Sequence, residues 1–161
     1  LIFSQPISGK FSFSIAQEDI GAIFYYNTLA GQELFNPVDV AGWQGDRDWI
    51  NSSTLNGRWL ALEGVIGYVK NNDREKLRDF ALDTSNDSND PSYITKAIVD
   101  RFAPKALYTE NDYAVATDVF KAEIPQNYYD DGSWNLNWDQ APDQVALLLL
   151  HIIKIPEFQL K

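Results

Sequence analysis

Two stretches of the sequence bring aromatic rings together with charged and amide side chains, a combination that can bind polar ligands. The first stretch, residues 36–54, contains five residues with this chemistry: Trp43, Arg47, Asp48, Trp49 and Asn51. The second stretch, residues 128–139, adds Trp134 and Trp138 among tyrosines, aspartates and asparagines. An aromatic face matches the apolar side of a sugar ring, and planar polar side chains match its hydroxyl groups. These residues are the candidate ligand-binding set, and they form one cleft if the two stretches meet in space.

We favour a purely structural interpretation of the first stretch over this ligand-binding one. Trp43 and Trp49 can each bury roughly 150–250 Å² of surface and so plug a layer of helices. Arg47 then pairs with one of its neighbouring aspartates, and Asn51 satisfies the polar end of the following helix. In this interpretation the loop fixes the fold and binds nothing.

The sequence offers little else for catalysis. It has no cysteine, and His151 is its only histidine, which disfavours zinc ligation and a serine–histidine triad supplied by this chain alone. His151 lies within the apolar run LLLLHIIKI, so we interpret it as a hydrogen-bonded core residue. We therefore expect the chain by itself not to be an enzyme.

Residues 83–90 carry a weak calcium-binding pattern. Oxygen-bearing side chains occupy every second position, at Asp83, Ser85, Asp87 and Asn89. A calcium loop of the EF-hand type also needs glycine at its sixth position and glutamate at its twelfth, and this chain has Ser88 and Ile94 there. We expect a solvated loop from residue 83 to residue 92, and no cofactor.

The composition limits the classes of partner. A chain of 161 residues that is 45% hydrophobic can bury a sizeable core, and its length favours one domain covering residues 1–161. The net charge of −10 argues against nucleic acid, because phosphate binding needs clustered lysine and arginine. The longest apolar run, residues 145–153, is about half of the ~20 residues that a membrane span requires. The chain lacks methionine even at its first position, so we expect it to be part of a longer protein.

Apolar periodicity and capping residues predict an all-α fold of about six helices. Residues 1–15 lack helical periodicity and are compatible with a short extended segment. The first expected helix is capped by Ser14 and runs to about Leu34, and the second is capped by Ser52 or Ser53 and ends at Asn71. The others run from Asp73 to Leu82, from Pro91 to Phe102, from Glu110 to Ala122 and from Pro142 to about Ile155. The expected caps of the third, fourth and fifth helices are Asn72, Asp90 and Thr109.

Two of these helices carry most of the argument for the fold. The second has apolar residues at a spacing of four, three, four and three: Leu55, Trp59, Leu62, Ile66 and Val69. The last helix is apolar on nearly every side, which is typical of a helix surrounded by others. We therefore expect the C-terminal helix to be the centre of the core.

The central loop and the chain end also carry a family resemblance. The matching segments are Phe35-Asn36-Pro37, Val40-Ala41-Gly42-Trp43, Gly45, Trp49-Ile50-Asn51, Ser52-Ser53-Thr54-Leu55 and Pro156-Glu157-Phe158-Gln159-Leu160. In these segments the chain resembles a bacterial family labelled as the domain of unknown function numbered eighteen hundred. It departs from the usual pattern at Gln44 and Asp46, where members carry proline and a second glycine.

The resemblance implies a context rather than an activity. Members of the family are longer than this chain, so it would correspond to their C-terminal part. They are typically exported bacterial proteins, in the periplasm, at the cell surface or secreted, and are often encoded beside a second uncharacterised exported protein. The family has no established catalytic residues that could be transferred to this sequence.

Three hypotheses about function follow. The first is a non-enzymatic helical structural or protein-interaction module, whose partner is the rest of its own longer chain or a separate exported protein. The second is a glycan-binding module that uses the Trp/Tyr/Asp loops. The third is part of a hydrolase whose site is shared with a preceding region, with Asp46, Arg47 and Asp48 as candidates.

Overall fold

The computed structural model describes residues 17–33, 35–37, 39–42 and 50–159, except for the side chains of residues 17–20 and 22. That part of the chain contains eight helices: α1 (Gln17–Leu29), α2 (Ser52–Asn72), α3 (Arg74–Ser85), α4 (Pro91–Phe102), α5 (Glu110–Lys121), α6 (Asn127–Asp130), α7 (Ala141–Ile152) and α8 (Pro156–Gln159). The same part has no β-strand, only an isolated bridge between Asp39 and Gly42. The predicted all-α class is confirmed. The extended segment predicted at residues 1–15 lies outside the described residues.

Contacts within the chain divide the described residues into two compact units, residues 17–65 and residues 66–159. We call them the N-terminal unit and the C-terminal unit. Helix α2 begins in the first and ends in the second. The single domain expected from the chain length stays a prediction.

In the N-terminal unit, small residues let α1 approach α2 closely. A Cβ atom at Gly57 would overlap the carbonyl oxygen of Leu29, and one at Gly64 would lie 2.5 Å from the hydroxyl of Tyr26. Ala61, between these glycines on the same side of α2, is 6% exposed. The glycines of α2 therefore leave room for the backbone of Leu29 at one point and for the Tyr26 ring at another.

The first helix ends earlier than its sequence suggests. Gly31 adopts the left-handed conformation, with φ of +73°, just after the helix. The Gly31 N–H donates to Thr28 O at 3.0 Å, and the Gln32 N–H donates to Asn27 O at 2.8 Å. This bonding pattern satisfies the last carbonyls of α1 and turns the chain away. The predicted end at about Leu34 is wrong because Gly31 terminates the helix.

Asn51, rather than Ser52 or Ser53, caps α2. Its Oδ1 accepts hydrogen bonds from the backbone N–H groups of Ser53 and Thr54, both at 3.0 Å. The prediction of a serine cap is wrong by one or two residues, and the structural interpretation of Asn51 as a helix-end residue is confirmed. Of the predicted apolar side of α2, Leu62 and Val69 are buried, whereas the other three residues are half-buried.

The C-terminal unit has α7 at its centre. Helices α3, α4 and α5 all pack against α7, and its Val145, Leu148 and Ile152 are at most 1% exposed. The predicted central position of this helix is confirmed. Its last turn is tightened, because the Lys154 N–H donates to His151 O and the Ile155 N–H donates to Ile152 O. For this reason α7 ends at Ile152 rather than at the predicted Ile155.

Two predicted caps are present and one is absent. Asp90 accepts from the Ser92 N–H at the start of α4, and Thr109 forms a capping box with Asp112 at the start of α5. At α3 the N-cap is Asp73 rather than Asn72, and its side chain makes no capping hydrogen bond. Helix α3 also continues to Ser85, beyond the predicted Leu82.

The one-turn helices α6 and α8 were not predicted, because each is too short to show apolar periodicity. None of the described helices combines the length and the apolar character needed to cross a membrane.

Candidate functional site

The second aromatic stretch lies in the C-terminal unit, between α5 and α7. It opens with the single turn of α6, and the chain then reverses at Gly132, where φ is +70°. After this turn the chain passes Trp134 and Trp138, the two candidate residues of this stretch, before entering α7. Their surroundings differ sharply.

Trp134 belongs to the core. Its side chain is 2% exposed and meets the ring of Phe120 edge-on, with ring centroids 5.7 Å apart, and the ring of Tyr129 at 5.1 Å. Its Nε1–H donates to Oε1 of Gln144 at 3.0 Å. No face of this indole is open to a ligand, so Trp134 is a core residue and not a ligand-binding one.

Gln144 is the centre of a buried polar network. This α7 residue is fully buried, and its Nε2 donates to Phe120 O at 3.0 Å and to the Tyr129 hydroxyl at 2.6 Å. Burial raises the pKa of Tyr129, and the hydrogen bond to Gln144 opposes that shift. With the Trp134 bond included, one amide group ties α5, the aromatic stretch and α7 together.

Two arginines of α3 hold the backbone that follows Trp134, and we call Arg74 and Arg78 the arginine clamp. Arg78 donates from Nε to Leu136 O at 3.0 Å and from Nη2 to Trp138 O at 2.9 Å. Arg74 donates from Nη2 to Asp139 O at 2.8 Å. Hydrogen bonds from a charged donor are stronger than neutral ones, so this segment has a fixed path.

The clamp is extended by ion pairs to α7. Arg74 Nη2 lies 2.9 Å from Oδ2 of Asp143, and Lys70 Nζ lies 3.1 Å from Oδ1 of the same carboxylate. The Asp143 side chain is only 24% exposed, so its desolvated carboxylate is bracketed by two cations. The end of α2, the start of α3 and the start of α7 are joined at this carboxylate.

Trp138, unlike Trp134, lies at the surface. It is half-buried, and its ring centroid is 5.1 Å from that of Tyr128 at an interplanar angle of 66°. Its Nε1–H donates to Ser133 O at 3.2 Å, and Tyr128 is 38% exposed. We call Tyr128 and Trp138 the aromatic corner.

Polar groups continue from the aromatic corner along the loop. The Asp131 carboxylate accepts a hydrogen bond from the Ser133 N–H at 2.9 Å, and its interactions with Ser133 lower the pKa of Asp131. Asn135 Oδ1 accepts from the Asn137 N–H at 2.9 Å. After α6, the loop therefore carries an ionised carboxylate at Asp131 and a hydrogen-bonded side-chain amide at Asn135.

Of the first candidate stretch, the structure describes only its margins. Asn51 is exposed and serves as the cap of α2. Trp43, Arg47, Asp48 and Trp49 lie outside the described residues, as does Asp46. Their assignment to a ligand site, a plug or a hydrolase site stays a prediction.

Phe35, in the N-terminal unit, is a candidate site residue that the sequence analysis did not identify. Its backbone has φ of +63°, a region that non-glycine residues rarely occupy, and its side chain is 86% exposed. The Asn36 N–H donates to Glu33 O at 3.2 Å, and Asn36 Nδ2 donates to Glu33 Oε2 at 2.9 Å. The tight turn from Glu33 to Asn36 thus holds an aromatic ring outward.

The remaining sequence candidates have ordinary structural positions. His151 is half-buried on α7, and burial lowers the pKa of its imidazole. Ser85 is buried within α3, and its hydroxyl donates to Ala81 O at 2.7 Å, so it does not face a loop. Nowhere in the described ranges do three or more histidine, cysteine or acidic side chains gather where they could hold a metal ion.

Comparison with known proteins gives one result. Searches of curated proteins and of solved structures find no match. A family model described as "Protein of unknown function (DUF1800)" matches residues 9–160, which is nearly the whole chain. The protein therefore belongs to this family, as its central loop and its closing residues suggested.

Proposed function

We propose that the chain is a non-enzymatic helical module that binds another protein through its N-terminal unit, with Phe35 as the main anchor. The observation that carries the proposal is the conformation of Phe35. A left-handed backbone costs an L-residue roughly 1–2 kcal/mol, and glycine avoids this cost. Phe35 has this conformation although its side chain is 86% exposed. Burial of that ring against a partner would offset the strain.

Other exposed apolar residues of the N-terminal unit support the same conclusion. Phe24 and Tyr25 of α1 are 40% and 61% exposed, Leu60 of α2 is 54% exposed, and Val40 is fully exposed. Among the described residues of this unit, the buried apolar side chains are only those of Ala30, Ala61 and Leu62. A folded protein rarely exposes so much apolar surface relative to what it buries unless a partner covers it.

The partner that we propose is either a separate exported protein or another part of a longer chain that contains this module. The exported location, as the family resemblance implies, is part of this proposal. Aromatic anchors that enter a pocket at the centre of an interface typically contribute 2 kcal/mol or more to binding. We expect Phe35 to contribute at that level.

Site-specific photo-crosslinking tests the proposal. A photoreactive phenylalanine analogue would be placed at position 35 of the full-length protein in its own cells, and in a second variant at position 108. Tyr108 is the matched control, because it is an aromatic residue with the same 86% exposure in the other unit. We expect a crosslink to one defined protein, or to a defined segment of the same chain, from position 35 and not from position 108.

Equal crosslinking from both positions, or none from either, would contradict the proposal. A pair of substitutions then separates binding from folding. Phe35→Gly should raise the free energy of unfolding by about 1 kcal/mol, because it relieves the strain, and should weaken binding of the crosslinked partner. Phe35→Ala keeps the strain and should weaken binding equally without raising stability.

A further inference from the structure

We propose that the aromatic corner, Tyr128 with Trp138, is a binding subsite for a neutral sugar ring of an oligosaccharide. The subsite lies in the C-terminal unit and is independent of the protein-binding surface proposed above. The subsite contains fewer residues than the ligand-binding set predicted from the sequence, and it excludes Trp134, which is buried in the core.

The first argument is rigidity. Trp138 is fixed at three places: its Nε1–H donates to Ser133 O, its N–H donates to Asn135 O at 3.1 Å, and its carbonyl accepts from Arg78. The main chain of Tyr128 is held by its carbonyl, which accepts the Trp134 N–H at 3.0 Å, and its ring is held by the contact with Trp138. A ligand that stacks on these rings does not have to order them, so little entropy is lost on binding.

The second argument is the geometry of the rings. Neither ring is buried, and the planes meet at 66° with centroids 5.1 Å apart. Two inclined aromatic surfaces can contact one face and one edge of a pyranose, whose C–H groups are apolar. In an edge-to-face contact, weakly positive C–H groups of one ring lie against the negative face of the other. The C–H groups of a sugar are attracted to an aromatic face for the same reason.

The third argument is the chemistry of the surrounding loop. Ser133 contacts both residues of the corner, since its carbonyl accepts from the Trp138 Nε1–H and its hydroxyl is 3.4 Å from the main-chain oxygen of Tyr128. Exposed Asp131 and Asn137 and half-buried Asn135 supply acceptors and donors for sugar hydroxyls. The ionised carboxylate of Asp131 disfavours phosphorylated or otherwise anionic sugars, because like charges repel at short range.

The experiment is isothermal titration calorimetry of the full-length protein with cellohexaose, chitohexaose and maltohexaose. We expect at least one of these oligosaccharides to bind. Tyr128→Ala should weaken that binding at least about tenfold, as expected for the loss of an aromatic contact at the centre of a site. Tyr108→Ala is the matched control and should leave the affinity unchanged, because Tyr108 is an exposed tyrosine outside the corner.

Trp138→Phe provides a second variant that keeps an aromatic ring, and its melting temperature would be compared with that of the unmodified protein. It should retain the fold and bind more weakly, because the ring is smaller and its hydrogen bond to Ser133 is lost. Absence of binding to all three oligosaccharides would overturn the inference. Unchanged affinity in both Tyr128→Ala and Trp138→Phe, or an equal loss in Tyr108→Ala, would also overturn it.

Discussion

The two units of the chain achieve helix packing in opposite ways. In the C-terminal unit, large side chains from α3, α4, α5 and α7 interlock, and all but three of the buried apolar residues of the described chain belong to it. In the N-terminal unit, glycines of α2 face the Leu29 backbone and the Tyr26 ring of α1, while Phe24, Tyr25 and Phe35 are exposed. The comparison shows that compactness and hydrophobic burial are separable, because close backbone contact needs little apolar area. We therefore expect the C-terminal unit to supply most of the stability, whereas several described apolar residues of the N-terminal unit are accessible to a partner.

The largest expected effect is in the packed core of the C-terminal unit. Trp134→Ala should lower the free energy of unfolding by about 4 kcal/mol, because it removes a fully packed ring. It also leaves the buried Oε1 of Gln144 without the hydrogen bond that the indole N–H donates. Chemical denaturation measures the change, and hydrogen exchange should show it at residues 66–159. A loss below about 1.5 kcal/mol would mean that the core does not depend on this ring.

A second substitution tests the backbone contact in the N-terminal unit. Gly57→Ala should destabilise that unit by about 2 kcal/mol, because the new Cβ would overlap the backbone of Leu29 and the helices would have to separate. Hydrogen exchange should rise at residues 17–65.

Gly67→Ala is the control on the same helix, since a Cβ there has no atom within 4 Å. It should stabilise α2 by about 1 kcal/mol through helix propensity alone. If Gly57→Ala behaves like Gly67→Ala, the close approach of α1 and α2 is not what holds the N-terminal unit.

The smallest expected effect is a dependence of stability on pH. Burial lowers the pKa of His151 in the folded state below its ordinary value of about 6.5. The unfolded chain therefore binds more protons as the pH falls below 6.5, and the stability present above that pH is progressively lost. We expect a decrease of less than about 1 kcal/mol between pH 7 and pH 5, because the ring is only half-buried.

His151→Gln should flatten that dependence, as measured by melting temperature at each pH. The loss should concern the C-terminal unit, where His151 lies on α7. A pH dependence that is unchanged in the variant would assign the effect to carboxylates instead.

Local signals predicted most of the fold correctly. The boundaries of α4 were predicted to the residue, because Asp90 and Pro91 mark its start by chemistry that acts within a few residues. The capping box at Thr109 is another such signal. The end of α1 was misplaced because Gly31 could serve either as a helix residue facing a neighbour or as a helix terminator, and only the backbone angle distinguishes these roles.

The candidate site depends on contacts between distant residues, which the sequence does not specify. Trp134 and Trp138 have similar neighbours in the sequence, but the indole N–H of Trp134 donates to buried Gln144, whereas that of Trp138 donates to Ser133 O. Arg78 binds backbone carbonyls about sixty positions away, so no local sequence pattern predicts that it holds this loop. The exposure of Phe35 likewise follows from a turn whose left-handed residue is normally glycine.

The arginine clamp has a consequence for which positions of this loop tolerate substitution. Arg78 holds the loop by its main-chain oxygens, and Arg74 does so in part, so these contacts do not depend on which side chains the loop carries. Substitutions at outward-facing positions such as Asn137 can then change what the surface recognises while the path of the chain is conserved. The conformation of the loop is set from α3, so a designed library could vary its outward-facing side chains on a fixed main chain. Substitutions of loop side chains can therefore change which ligand the surface binds while the fold stays the same.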